Sequence, residues 1–132
     1  MNKQNALATV RKHGPRLLAV IVSIAVVALS GCHKSPHMSI SPSAVPNCGA
    51  HTQPVSITLQ WDATYATDGR VRFWIRDRRA DTSTPELWTE QGWKGTMQSG
   101  PWMLPGTIIS MTDASGEKTL AKVRIGSAPC KQ

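Results

Sequence analysis

From Val55 to Trp61 every second residue is apolar. Val55, Ile57, Leu59 and Trp61 fall on one side, and Ser56, Thr58 and Gln60 on the other. A period of two fits a pleated strand with one buried face and cannot gather those side chains onto one face of a helix. The pattern returns at Arg70–Arg76, where Val71, Phe73 and Ile75 point inward and Arg72, Trp74 and Arg76 point outward, with Arg78 continuing the row. Ile109 and Met111 mark a strand near 107–112, and Ala121, Val123 and Ile125 another at 119–125. Leu87-Trp88-Thr89 is a short candidate, and Gly95–Met103 a weaker one broken by Gly100-Pro101. Met38–Val45 supplies a first strand, expected at an edge because Pro42 has no N–H to donate.

Turn residues separate these runs. Asp68-Gly69 precedes the arginine-rich strand, Pro105-Gly106 precedes the strand at 107, and Asp113-Ala114-Ser115-Gly116 joins the last two as a hairpin. A sheet with one apolar face must bury that face against another element, and about seven short strands with regular turn signals leave a second sheet to supply it. The expected fold is therefore all-β: an immunoglobulin-like sandwich of about seven strands. Val55–Asp62, Val71–Ile75, Leu87-Trp88, Gly100-Pro101-Trp102, Pro105-Gly106-Thr107 and Thr119–Ile125 resemble a bacterial immunoglobulin-like or fibronectin-III-like module. Such modules often carry a Thr-Gly-x-Trp-Val element and a Gly-Thr-x-Phe-x-Leu strand. Here Ser99 replaces the Thr, Met103 the Val, Ile109 the Phe and Met111 the Leu. These modules act as spacers, adhesion units and binding accessories, so the resemblance implies a fold without a single function.

The N-terminal part has a different character. Residues 1–16 are basic with no acid, and Leu17 to Leu29 is apolar apart from Ser23. A membrane-spanning helix needs about 20 apolar residues, so this run suits a signal segment; the alternative is an uncleaved anchor. It closes on Leu29-Ser30-Gly31-Cys32, which resembles the lipobox of bacterial lipoproteins. That resemblance implies acylation of Cys32 and cleavage before it. It divides the chain into a signal peptide at 1–31, a lipidated tether at 32–38 and a domain at 39–132. His33, where an Asp would favour inner-membrane retention, implies an outer-membrane lipoprotein on the periplasmic side. The proline- and serine-rich stretch 33–47 begins as a semi-extended tether.

The same division settles charge and cysteine use. Four of the fifteen Lys and Arg residues precede the apolar run, leaving eleven against eight acids, so +7 becomes +3. That balance does not call for a nucleic-acid partner. Cys48 and Cys130 remain as a pair, and an exported chain is expected to oxidise them to each other. An odd strand count supports the bridge, because the first and seventh strands then run the same way and end at the same end of the sandwich.

Nothing resembles a catalytic set, a cofactor motif or a metal cluster. His33 and His37 lie on the tether without a third ligand, and His51 sits in a turn. Asp62 and Asp68 flank a loop and read as turn formers rather than paired acids. The uneven feature is the outward row Arg72, Trp74 and Arg76, which an immunoglobulin-like sheet places near Lys122 and Arg124, with Ile108 and Ser110 between. Arg and Trp are enriched at binding hot spots. The row reads either as a docking face for an acidic protein surface or an anionic glycan, or as a solvated face whose arginines Asp77, Glu86 and Glu90 neutralise. Trp61 and Trp88 read as core residues. The function expected is a non-catalytic binding or structural module of the cell envelope, held to the membrane by lipid; the alternative is a small accessory subunit of a larger envelope or secretion assembly.

Overall fold

The structure is a computed structural model that describes residues 34–77 and 84–131. Residues 1–31, read above as a signal segment, Cys32 and Arg78 lie outside the described residues. Among these, nine strands form: β1 (His37–Ser41), β2 (Ala44–Asn47), β3 (Thr58–Asp62), β4 (Arg70–Arg76), β5 (Glu86–Gly92), β6 (Lys94–Gln98), β7 (Ile108–Asp113), β8 (Thr119–Arg124) and β9 (Gly126–Pro129). One sheet has the order β1-β3-β6 and the other β5-β4-β7-β8, all pairs antiparallel, and β2 pairs with β9 in parallel. The fold is the expected immunoglobulin-like β-sandwich.

The count rises from about seven to nine because the outer two strands are each interrupted. Pro42 and Ser43 separate β1 from β2, so the first strand begins in the three-stranded sheet and then leaves it to pair with β9. Ile125 separates β8 from β9, and it exchanges hydrogen bonds with Gly106 and Thr107 rather than with β7 proper. The strand read from Val55 is regular only from Thr58; Val55 forms a single bridge with Met103, and the Ile57 N–H donates to Ser99 Oγ at 2.9 Å. The inward register is nevertheless the expected one, with Ile57, Leu59 and Trp61 buried. Leu87–Thr89 proves to be the middle of the seven-residue β5, and Gly100-Pro101 falls beyond the end of β6.

Inward residues of both sheets meet in one core, in which Val45, Ile57, Leu59, Val71, Phe73, Met103, Ile109, Met111 and Ile125 are almost wholly buried. Burying each large apolar side chain contributes about 1.5–3 kcal/mol against chain entropy. Trp61 packs edge-to-face on Phe73 with ring centroids 4.9 Å apart, and its indole N–H donates to the Gly92 carbonyl at 2.9 Å. Its ring covers Gly95, its cross-strand partner, where an added Cβ would lie 2.8 Å from Cζ2. Trp88 meets Phe73 on one side and Trp102 on the other, the latter at 5.5 Å, so Trp102 closes the core at that end.

The cysteines follow from the parallel pair. Its register runs Ala44 opposite Gly126 through Asn47 opposite Pro129, so the next step along each strand is Cys48 and Cys130. Their Cα atoms lie 5.1 Å apart and the disulfide is formed, 82 residues apart in sequence. It staples the start of the domain to its end. The opposite end of the sandwich holds the first residue of β1, the loop after Asp62, the turn at Trp93 and the 113–118 hairpin.

Candidate binding face on the four-stranded sheet

Three rows of side chains cross the outer face of β5-β4-β7-β8. The central row reads Leu87, Trp74, Ser110, Lys122; a second reads Glu90, Arg72, Thr112, Thr119; a third begins at Arg76 and continues through Ile108 to Arg124. The alternation of β4 thus brings Arg72, Trp74 and Arg76 onto one face with Lys122 and Arg124, as expected. A bulge between Phe73 and Trp74 shifts the register of β5, turning Leu87 outward beside Trp74 while Trp88 enters the core. That bulge leaves no mark in the apolar pattern, and so the sequence gives no sign of Leu87 at this site.

Trp74 is fixed rather than free. Its indole N–H donates to Thr112 Oγ1 at 2.9 Å, and that hydroxyl donates to the Asp113 carbonyl at 3.0 Å. The hairpin closes over one edge of the ring. Gly116 has φ +81°, and a Cβ there would come within 3.1 Å of Trp74 Cζ2, so both the turn and the close approach require glycine. Beside the ring is a hollow of about 290 Å³ lined by Trp74, Arg76, Pro85, Ser110, Thr119 and Lys122. It offers an aromatic wall, two cations and the hydroxyls of Ser110 and Thr119 besides that of Thr112, the mixture of apolar surface and a few polar groups typical of ligand sites.

Charge is divided unevenly across the face. At one end Glu90 takes a hydrogen bond from Arg72 Nε at 3.0 Å and pairs with Arg70 Nε at 2.8 Å. The Arg72 hydrogen bond, with the charges of Arg70 and Arg72, holds the Glu90 carboxyl below its usual range against the opposing effect of burial. This part of the face is neutralised, as the solvated reading expects. Glu86 sits opposite Ile75 and not opposite an outward arginine. At the other end stand Arg76, Lys122 and Arg124, and among the described residues Arg76 Nε is buried without a hydrogen-bond partner. A desolvated donor without a partner is costly, and Arg76 also lines the hollow beside Trp74.

The two aspartates at either end of the 63–69 loop are held by local bonds. Asp62 Oδ1 accepts from the hydroxyl and the N–H of Thr64, and Asp62 Oδ2 pairs with Lys94 at 3.1 Å. These bonds, the Thr64 hydroxyl foremost, pull its carboxyl far below the ordinary range. Asp68 accepts from Thr67 next to it, so both aspartates shape the 63–69 loop. Among the described residues no group of three His, Cys, Asp or Glu side chains converges to hold a metal. No protein-family model matches the chain, and no curated protein or solved structure matches it.

Proposed function

We propose that the protein is a non-catalytic binding module of the bacterial envelope, lipid-anchored through Cys32 to the periplasmic face of the outer membrane, whose hollow beside Trp74 takes an anionic glycan. The observation that carries this is the pairing of an immobilised indole with Arg76 and Lys122 around one cavity, while Glu90 neutralises only the far end of the row. Sugar rings stack on indole through their C–H faces, cations bind a uronate carboxylate, and the hydroxyls of Ser110 and Thr119 line the same hollow, which supports this reading. A cavity of about 290 Å³ suits one or two sugar residues rather than a long chain in full.

A second reading, an accessory subunit docking on an acidic protein surface, is supported by Leu87, which lies 52 % exposed next to Trp74 and extends the apolar centre toward the sheet edge. Titration with a uronic-acid oligosaccharide and a neutral one of equal length separates the two. The glycan reading expects binding of the acidic sugar alone, weakened about tenfold, or about 1.4 kcal/mol, by Arg76→Gln with Lys122→Gln. Equal or absent binding of both sugars refutes it.

A further inference from the structure

The tether and the exposed aromatics share one end of the sandwich. His37 opens β1 and pairs with Asp62, the last residue before the 63–69 loop that carries Tyr65. The Ala63 N–H donates to the Trp93 carbonyl and the Trp93 N–H to the Gly69 carbonyl, which ties the β5–β6 turn to the same loop. Tyr65 is 74 % exposed and Trp93 44 %; Trp102, 43 % exposed, lies at the opposite end, edge-to-face against Trp88.

Resting on the lipid-anchor reading of Cys32, we propose that the Tyr65 and Trp93 end of the domain lies against the lipid headgroups. Five residue steps separate Cys32 from His37, a reach of at most about 18 Å. The seven residues of β4 alone extend about 23 Å. A tether that short cannot run back along the sandwich and turn the Trp102 end to the bilayer. The loops at the His37 end therefore stay close to the membrane surface. Tyr and Trp are the side chains that partition into that zone, where the ring is buried among headgroups and the polar tip stays wet. Charge nearly cancels at this end: Lys94 pairs with Asp62 and Arg70 with Glu90, Lys118 adjoins Glu117, and Asp68 and Asp113 share the end with Lys34 of the tether. Contact should accordingly be equal on phosphatidylcholine vesicles with and without phosphatidylglycerol.

The test uses the full chain, processed by its host and reconstituted into vesicles containing brominated lipid, with tryptophan fluorescence as the readout. The wild type should be quenched, Trp93→Phe should lose at least half of that quenching, and Trp102→Phe should keep it. Unchanged quenching in Trp93→Phe, or its loss in Trp102→Phe, overturns the orientation. Mass spectrometry of the same samples separates the two layers of the argument. Acylated Cys32 without Trp93-dependent quenching defeats this inference alone, whereas an unmodified Cys32 defeats the anchor reading and this inference with it.

Discussion

Removing the Cys48–Cys130 bridge tests how much of the stability lies in closing the chain on itself. The bond joins residues 82 apart, and besides it the two ends are held by the four-residue β2–β9 ladder and by the buried Val45 and Ile125. In the chain-entropy account, a loop of that length makes the bond worth about 4.5 kcal/mol at 25 °C. For a domain of this size 1 kcal/mol shifts the melting temperature by about 4–8 °C, so Cys48→Ser with Cys130→Ser should melt roughly 20–35 °C lower. The core residues Phe73, Ile109 and Met111 belong to β4 and β7, away from the bridge, so the folded form should persist at low temperature. Differential scanning calorimetry of wild type and variant, with Trp61 and Trp88 emission as a check on the core, measures both points. A shift below 5 °C would mean that the ends are held by packing and that the entropic argument fails. Loss of the core signal at 4 °C would mean that β2 and β9 are needed to form the sandwich at all.

Gly95→Ala places a Cβ 2.8 Å from the Trp61 ring, and overpacking of that kind should cost about 1–3 kcal/mol in urea unfolding, with a red-shifted Trp61 emission. Ser99→Ala removes the acceptor for the buried Ile57 N–H and should cost about 1–3 kcal/mol by the same assay; a neutral result would mean that water replaces the hydroxyl. Asp62, Glu90 and Asp113 all have carboxyls held below their ordinary values, the first two by hydrogen bonds and nearby cations and Asp113 by hydrogen bonds from the Ser115 hydroxyl and the hairpin backbone. The folded form thus binds protons less readily than the unfolded form: the stabilisation is complete above the ordinary carboxylate range near pH 4 and is lost as pH falls through the folded values. Melting temperature should hold from pH 7 to about 5 and drop on further acidification, and Asp62→Asn should flatten that drop; a pH-independent melt from 5 to 2 would contradict it.

The sandwich is legible in the sequence because its inward residues obey a period of two that no helix satisfies, and Val71, Phe73, Ile75, Leu59 and Trp61 take the faces that this period assigns. What the pattern does not carry is where a strand changes partner. The break at Pro42-Ser43 and the one at Ile125 are set by which sheet lies nearby, a long-range fact, and so β2 and β9 read as parts of longer strands. The disulfide is legible because strand parity puts Cys48 and Cys130 at the same end of the sandwich, although it is the β2–β9 pair that brings them into contact. The candidate face is legible in composition and less so in contact. Alternation puts Arg72, Trp74 and Arg76 together, but the bulge at Phe73 and Trp74, the lid at Gly116 and the Trp74–Thr112 bond arise from the partner strands. One consequence is practical. Trp74 is half-buried and hydrogen-bonded, so its removal would disturb folding as well as binding, and Arg76 and Lys122 are the cleaner probes of function.

The claim that the outer face of β5-β4-β7-β8 is a docking surface is tested most directly in the intact envelope. A photo-crosslinking residue at Thr119, on the lip of the hollow, should capture one discrete acidic species, and Arg76→Gln with Lys122→Gln in the same chain should abolish that product. The matched control is Thr96, exposed on β6 of the other sheet. Crosslinking from Thr119 no greater than from Thr96, or a product that survives loss of both cations, would contradict the account.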